Sequence, residues 1–79
     1  MSVLLVDDHE VVRRGLRDLL DTEDDVSIVA EAGGVGEALV RAQATQPDVA
    51  VIDMRLPDGD GLELCRKLRE LPNPPHCLV

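Results

Sequence analysis

Short apolar runs alternate along the chain with segments in which apolar residues recur every three or four positions. The runs are typical of strands buried on both faces of a sheet, and the periodic segments are typical of amphipathic helices. Strands are predicted over Ser2–Val6, Val26–Ala30 and Val49–Asp53, and a fourth opens at Cys77–Val79. Helices are predicted over His9–Leu20, over Val35–Thr45, and in a segment that carries Leu62, Cys65, Leu68 and Leu71.

The regular alternation of strand and helix predicts an α/β fold. Parallel strands need crossover connections, and right-handed crossovers place helices on both faces of the sheet. The expected fold is therefore a doubly wound parallel sheet whose last strand is only begun. No linker, internal repeat or low-complexity segment interrupts residues 1–79, which indicates one domain.

Finer signals mark the starts and the packed faces of the helices. Asp8 is expected to cap the first helix. Gly15 lies inside that helix, where glycine costs about 1 kcal/mol relative to alanine, so close packing is expected there. Asp60 and Glu63 have the spacing of a capping box at the start of the third helix. The apolar stripe of the first helix comprises Val12, Leu16, Leu19 and Leu20.

Composition and charge exclude several classes of function. The formal net charge is −8, so residues 1–79 by themselves should not bind nucleic acid or an anionic membrane. Cys65 and Cys77 are too few for a disulfide framework or a zinc motif, and the sequence shows no signal peptide and no membrane span. A reduced, cytoplasmic location is therefore expected.

Three aspartates stand where predicted strands end: Asp7 and Asp8 follow the first strand, and Asp53 ends the third. Parallel strands present their carboxyl ends at one edge of a sheet, where open α/β sheets bind ligands. Carboxylates held close together repel one another unless a cation neutralises them, and hard oxygen ligands suit Mg²⁺ or Mn²⁺. Such a cation would also offset the charge of a phosphoryl group, while one carboxylate attacks it.

Two stretches of the sequence carry a family resemblance. They are Leu5–Leu16, which is LVDDHEVVRRGL, and Asp48–Gly61, which is DVAVIDMRLPDGDG. An acidic pair followed 45 positions after Asp8 by Asp-x-x-x-Pro resembles the receiver domain of two-component response regulators. The amino-acid sequence of both stretches is most similar to the NarL/FixJ (LuxR-type) subgroup and to actinobacterial hypoxia and dormancy regulators. The resemblance covers essentially the whole chain and implies a flavodoxin-like sheet with strand order 2-1-3-4.

The resemblance also implies a role for individual residues. Asp53 would accept a phosphoryl group from a sensor histidine kinase, as an acyl phosphate. Asp8 and Asp53 would bind Mg²⁺ (or Mn²⁺) directly, Asp7 would bind it through water, and Arg55 would bind it through its main-chain carbonyl. The family regulates transcription as a phosphorylated switch and is not an enzyme. Phosphorylation normally controls dimerisation, and with it DNA binding by a separate output domain.

Residues 1–79 match only the first part of the family's pattern, so a partial receiver domain is expected. Pro57 and Gly61 would shape the loop beneath the site. The Ser/Thr after the family's fourth strand and the Lys after its fifth are absent from these residues, as are the last strands and helices and the DNA-binding output domain. Residues 1–79 are therefore expected to be impaired in switching, and to associate with another copy through an exposed sheet edge.

Two other functions remain as alternatives. A metal-dependent phosphatase of the haloacid-dehalogenase type would also use Asp53 as its nucleophile, but it requires an Asp two residues later, where this chain has Arg55. The second alternative is an inactive fragment with a structural or interaction role only. Metal binding and acyl-phosphate formation distinguish this alternative from a receiver.

The remaining polar motifs have structural interpretations. Asp58–Gly61 resembles part of a calcium loop, but Leu62 stands where that loop needs an oxygen ligand, so a turn and a helix cap are predicted. His9 is expected to be exposed or hydrogen-bonded rather than a ligand, and His76 is expected to be incidental. Both cysteines are expected to be small core residues.

Overall fold

The computed structural model describes residues 1–79 and consists of a parallel sheet, a small hairpin and three helices. The elements follow one another as β1 (Ser2–Val6), α1 (Glu10–Leu20), β2 (Ser27–Ala32), α2 (Val35–Thr45), β3 (Val49–Ile52), β4 (Arg55–Leu56), β5 (Gly59–Asp60), α3 (Gly61–Arg69) and β6 (His76–Leu78). The four parallel strands stand in the order β2-β1-β3-β6. This confirms the predicted order 2-1-3-4, because β6 is the fourth strand of the main sheet.

The central position of β1 follows from its sequence. Val3, Leu4, Leu5 and Val6 are all buried, as a strand needs when it has neighbours on both edges and cover on both faces. Its register places Val6 beside Ala32 of β2 and beside Ile52 of β3. The carboxyl ends of the three strands are therefore level with one another.

The main core lies between the sheet and helices α2 and α3. Its 11 buried residues are all aliphatic side chains or cysteine: Leu4, Val6, Ala32, Val35, Ala38, Ala42, Ala50, Ile52, Leu64, Cys65 and Leu68. The apolar positions of the helix predicted over Val35–Thr45 were Val35, Ala38, Leu39 and Ala42, and all four pack in or against this core, which confirms them. The predicted stripe of α3 is wrong at one position, since Leu64 is buried and Leu62 is exposed. A helix at 3.6 residues per turn alternates three- and four-residue steps, so a strict three-residue repeat drifts off the buried face.

Helix α1 packs differently and buries no side chain. It lies mainly against β2, and half of its predicted stripe is exposed: Val12 is 44% exposed and Leu19 is 66% exposed. The expected close packing at Gly15 is wrong, because a Cβ atom there would have no neighbour within 4 Å. The predicted cap is also wrong: His9 is the N-cap residue and no side chain caps the helix, because the chain first passes through Asp8 in the loop.

Ion pairs link α1 to the sheet. Arg17 Nη1 lies 2.7 Å from Glu31 Oε2 on β2, and Arg13 Nε lies 3.4 Å from Glu31 Oε1. The Arg13 guanidinium also donates to the carbonyl of Asp7. Charged side chains therefore contribute to the contact of α1 with the sheet, beside the half-buried Leu16 and Leu20. None of the three helices has the length and apolar character needed to cross a membrane.

Candidate functional site

Main-chain hydrogen bonds extend the parallel ladder past the ends of the strands and fix two of the predicted aspartates. The Asp7 amide donates to the carbonyl of Ala32 at 3.0 Å, and the Asp53 amide donates to the carbonyl of Val6 at 2.8 Å. Each aspartate therefore leaves the sheet at the same edge. The apolar runs that bury β1 and β3 determine where these carboxylates stand.

The structure brings the three predicted carboxylates together with one histidine. One ligand atom from each of Asp7, Asp8, His9 and Asp53 lies within 4.8 Å of all the others. The Asp7 side chain is 14% exposed and that of Asp53 is 31% exposed, so Asp53 is the more accessible of the two. The arrangement is an acidic cluster that is open to solvent on one side.

His9 is the part of this cluster that the sequence did not assign to the site. Its Nδ1 atom lies 2.8 Å from Asp7 Oδ1, 3.0 Å from Asp8 Oδ1 and 4.0 Å from Asp53 Oδ2. The hydrogen bond with Asp7 and the nearby charge of Asp8 raise the pKa of His9 above its ordinary value. The His9 side chain is 65% exposed and forms a hydrogen bond with Asp7, as expected from the sequence, and its ring nitrogen also faces the other carboxylates of the cluster.

An open cavity of about 510 Å³ adjoins the cluster. The strand ends contribute Asp8, His9 and Asp53 to its lining, and the segment after β3 contributes Met54, Arg55, Leu56 and Pro57. Arg55, the predicted source of a main-chain ligand, is therefore at the site. The cavity leaves the Asp53 carboxylate accessible from solvent.

The segment after Asp53 folds back as the antiparallel β4–β5 hairpin, where the sequence predicted only a turn. Arg55 pairs with Asp60 and Leu56 pairs with Gly59 around a tip formed by Pro57 and Asp58. Proline favours the second position of such a turn because its φ angle is fixed near the required value. The hairpin returns the chain to the base of the site within a few residues.

Gly61 lies directly beneath Asp53. Its amide donates to the carbonyl of Met54 at 2.8 Å. A Cβ atom at this position would stand 2.7 Å from the Asp53 carbonyl oxygen and 3.2 Å from Ile52 Cγ2, so no side chain fits without movement of the loop. This contact gives a physical reason for the loop-shaping role that the sequence suggested for Gly61.

Asp58 joins the hairpin to α2, and the sequence did not reveal this contact. Its carboxylate accepts hydrogen bonds from the amides of Val35 at 2.7 Å and Gly36 at 3.0 Å, which lower the pKa of Asp58. A Cβ atom on Gly34 would lie 2.7 Å from Asp58 Oδ1, so glycine at that position makes room for the carboxylate. The sequence signal for this contact was Gly33-Gly34 before α2: a glycine N-cap has no side chain to cap the helix, so the acceptor has to come from elsewhere.

The turn and the helix cap predicted for the calcium-like motif are confirmed, and Asp58 adds a contact with α2 that the sequence did not predict. Asp58 binds the amides at the start of α2, and the Asp60 side chain accepts from the Glu63 amide at 2.7 Å at the start of α3. In the predicted capping box, the hydrogen bond from the Glu63 amide to the Asp60 side chain is confirmed. The carboxylates of Asp58 and Asp60 therefore have structural roles at helix ends.

The chemistry of the cluster fits a hard divalent cation. Asp7, Asp8 and Asp53 offer carboxylate oxygens from two neighbouring strand ends. Mg²⁺ and Mn²⁺ are bound in proteins by a few such carboxylates together with water and phosphate oxygens. The cavity next to the cluster leaves room for those remaining ligands.

Comparison with known proteins agrees with this geometry. The family model described as response regulator receiver domain matches residues 3–79. The DNA-binding transcriptional activator DevR/DosR of Mycobacterium tuberculosis is 56% identical over 79 residues, which are the whole of this chain and 36% of that protein. The chain thus spans about a third of the length of this curated relative.

Solved structures show the same fold. The receiver domain of the putative response regulator NarL from Mycobacterium tuberculosis superposes with a TM-score of 0.89 at 33% identity, over 96% of this chain and 61% of that one. A LuxR-family response regulator from Aurantimonas gives a TM-score of 0.89 at 37% identity, over 96% of this chain and 54% of that one. The matched segment includes both acidic strand ends. The chain therefore belongs to the response regulator receiver domain family.

Proposed function

We propose that residues 1–79 are the N-terminal part of a receiver domain in a transcriptional response regulator, and that Asp53 is its phosphoacceptor. The observation that carries the proposal is the cluster at the sheet edge, where an accessible Asp53 stands within 4.8 Å of Asp7 and Asp8 and opens onto a cavity. The match to receiver domains supports this use of the cluster.

In the proposed reaction, a carboxylate oxygen of Asp53 attacks the phosphorus of a phosphohistidine on a sensor kinase. The new O–P bond forms as the P–N bond breaks, and the bonding electrons return to the imidazole nitrogen of the kinase. Asp53 is consumed stoichiometrically as an acceptor, so the chain does not act as an enzyme on a separate substrate. Bound Mg²⁺ supplies the positive charge that offsets the phosphoryl oxygens.

The proposed metal ligands follow from their positions. Asp8 and Asp53 line the cavity and would bind the cation directly, together with the main-chain carbonyl of Arg55. Asp7 is less exposed, and its Oδ1 already accepts from the His9 amide at 2.8 Å. This supports an indirect role for Asp7, through water.

The other partners are proposed from charge and from the free sheet edge. A net charge of −8 disfavours contact between residues 1–79 and DNA, so DNA binding by the full-length regulator is assigned to a separate output domain. Within residues 1–79, the outer edge of β6 has no strand beside it and carries the exposed Leu78, which supports self-association of these residues through that edge. The free thiols Cys65 and Cys77 fit a reducing compartment such as the cytoplasm.

The phosphatase alternative is not favoured. It needs an acidic residue two positions after the nucleophile, and Arg55 stands there. The inactive-fragment alternative is tested by phosphorylation itself. Intact mass is measured after incubation with acetyl phosphate and Mg²⁺, with and without EDTA, for the parent chain, for Asp53→Asn and for the surface control Asp18→Asn.

We expect one phosphoryl adduct on the parent chain and on Asp18→Asn, and none on Asp53→Asn or in the presence of EDTA. The control is matched in chemistry, because Asp18 is an exposed aspartate on α1 outside the cluster. An equal adduct on Asp53→Asn would contradict the assignment of the acceptor. An unmodified parent chain that nevertheless binds Mg²⁺ would favour the inactive fragment.

A further inference from the structure

His9 occupies the middle of the acidic cluster, and the receiver mechanism proposed above gives it no task. Its Nδ1 atom stands 2.8 Å from Asp7 Oδ1 and 3.0 Å from Asp8 Oδ1. Asp53 Oδ2 lies 4.0 Å away on the side of β3. One ring nitrogen therefore faces carboxylates from both strand ends.

Two of these separations are compatible with ligands of a single cation. With bonds of about 2.1 Å in octahedral geometry, adjacent ligand atoms lie about 3.0 Å apart and opposite ones about 4.2 Å apart. The distance from Nδ1 to Asp8 matches the adjacent spacing, and the distance to Asp53 is close to the opposite spacing. The 2.8 Å contact with Asp7 is a hydrogen bond, which the nitrogen would give up on binding the cation. A cation could therefore contact the nitrogen and the carboxylates after small side-chain adjustments.

The backbone holds His9 in this place. It is the N-cap residue of α1 in an extended conformation, with φ −95° and ψ 107°, and its amide donates to Asp7 Oδ1 at 2.8 Å. The ring is mostly solvent-exposed, so few packing contacts oppose its adjustment. The ring position is thus determined by the same turn that places the acidic pair.

We propose that His9 is a nitrogen ligand of the divalent cation, and that it shifts the selectivity of the site from Mg²⁺ towards Mn²⁺, Co²⁺ and Zn²⁺. Mg²⁺ takes oxygen ligands almost exclusively, whereas imidazole suits the later divalent metals, whose affinities rise along the Irving–Williams order. The inference rests on the proposed function for the location of the cation. It adds the residue that decides which cation binds.

The test compares two metals on two histidine variants. Mg²⁺ and Co²⁺ affinities are measured by isothermal titration calorimetry for the parent chain, for His9→Gln and for His76→Gln. His76 is a matched control because it is the other histidine, is exposed, and lies at the start of β6 rather than at the carboxyl edge. The visible absorption of Co²⁺ reports its ligands independently, and a strong near-ultraviolet thiolate band would reveal binding at Cys65 and Cys77 instead.

We expect the parent chain to bind Co²⁺ at least about tenfold more tightly than Mg²⁺. Loss of an outer-shell partner alone weakens metal binding about 10–100-fold, so His9→Gln should weaken Co²⁺ binding by about tenfold or more. The Mg²⁺ affinity should change by no more than about twofold in His9→Gln, because Mg²⁺ takes oxygen ligands and does not bind the His9 nitrogen. The Co²⁺ spectrum should change with His9→Gln and remain the same with His76→Gln.

Equal weakening of both metals by His9→Gln would overturn the inference, because it would show that His9 only orients Asp7 and Asp8. An unchanged Co²⁺ affinity and spectrum in His9→Gln, or a thiolate band in the parent chain, would also overturn it. Failure of the proposed function has a different signature: Mg²⁺ binding would be absent from the parent chain or unaffected by Asp53→Asn. Co²⁺ binding that depends on His9 without Mg²⁺ binding would keep the inference and reject Mg²⁺ as the cofactor.

Discussion

The position of the Asp53 side chain depends on a residue that has no side chain. Gly61 lies under the main chain at Asp53 and Met54, where a methyl group would stand 2.7 Å from the Asp53 carbonyl oxygen. Because that oxygen belongs to the backbone, it cannot rotate away as the end of a flexible side chain could. The loop that carries Asp53 therefore has to move if this position gains a Cβ atom.

Gly61→Ala should destabilise the chain by about 1–3 kcal/mol, the usual cost of forcing an extra methyl group into a packed place. It should also weaken Mg²⁺ binding, because the Asp53 loop is displaced. Gly15→Ala is the matched control in α1, where the new methyl group meets nothing within 4 Å. It should stabilise the chain by about 1 kcal/mol through helix propensity.

Urea unfolding and Mg²⁺ titration of both glycine variants check this prediction. Stabilisation by Gly61→Ala, or a change in stability equal to that caused by Gly15→Ala, would contradict the contact between Gly61 and the Asp53 carbonyl.

At the scale of elements, α2 begins with help from the loop that carries the site. Its N-cap residue is Gly34, which has no side chain to offer, and the Asp58 carboxylate from the hairpin tip binds the free amides instead. The same contact places negative charge at the positive end of the helix dipole. The hairpin after Asp53 and the start of α2 are thus held together by one side chain.

Asp58→Asn should lower the melting temperature at neutral pH. The asparagine side chain is uncharged and has only one acceptor oxygen, so it cannot replace a carboxylate that accepts from two main-chain N–H groups. The lowered pKa of Asp58 means that its contribution to stability is complete above its ordinary pKa of 3.8, and is lost as the pH falls through the lowered value. The difference in melting temperature between parent and variant should therefore be largest near neutral pH and shrink below about pH 3.8.

Thermal unfolding across this pH range, with the exposed Asp24→Asn as control, tests the role of Asp58. A difference that stays constant into acid, or that grows there, would show that the Asp58 contact does not depend on its charge.

Helix α1 is the element held most by charge. It buries no side chain, and its links to β2 are the ion pairs of Arg13 and Arg17 with Glu31. Glu31→Gln should therefore raise the hydrogen exchange rate of α1 amides while α2 and α3 keep their protection. The control is Glu23→Gln in the turn after α1, and added salt should reproduce the effect of Glu31→Gln in the parent chain. Unchanged exchange in α1 would show that apolar contacts suffice.

The sequence predicted those features that depend on local pattern. Ser2–Val6 and Val35–Thr45 have their predicted bounds, and the stripe of α2 is buried as expected because it packs directly on the sheet. The convergence of Asp7, Asp8 and Asp53 followed from strand order alone.

Features that depend on contacts distant in sequence escaped prediction. Asp58 reaches amides 22 and 23 positions away, so no local spacing reveals it. The side chain of His9 joins the cluster through the turn at the start of α1, and spacing alone gave no reason to choose a ligand over a hydrogen-bonded residue. The exposure of α1 depends on which elements lie against it, which periodicity does not report.

At the scale of residues 1–79 as an isolated chain, we propose that the outer edge of β6 is the surface through which these residues associate. Leu78 and Val79 are exposed there, and the free backbone groups of an edge strand can pair with another chain. Leu78→Lys should shift the chain towards monomer in sedimentation velocity, because a charge on an edge strand opposes pairing. Val40→Lys is the control, since Val40 is an exposed apolar residue on α2, away from the sheet edge. Equal effects of both variants would indicate nonspecific apolar association.

The central claim is that one carboxylate of the acidic cluster, Asp53, receives the phosphoryl group. The most direct measurement is to phosphorylate the chain with acetyl phosphate and Mg²⁺, reduce the acyl phosphate with borohydride, and map the resulting homoserine by peptide mass spectrometry. The account predicts homoserine at position 53 and at no other aspartate. Homoserine at Asp7 or Asp8, or a phosphorylated chain with an unmodified Asp53, would contradict it.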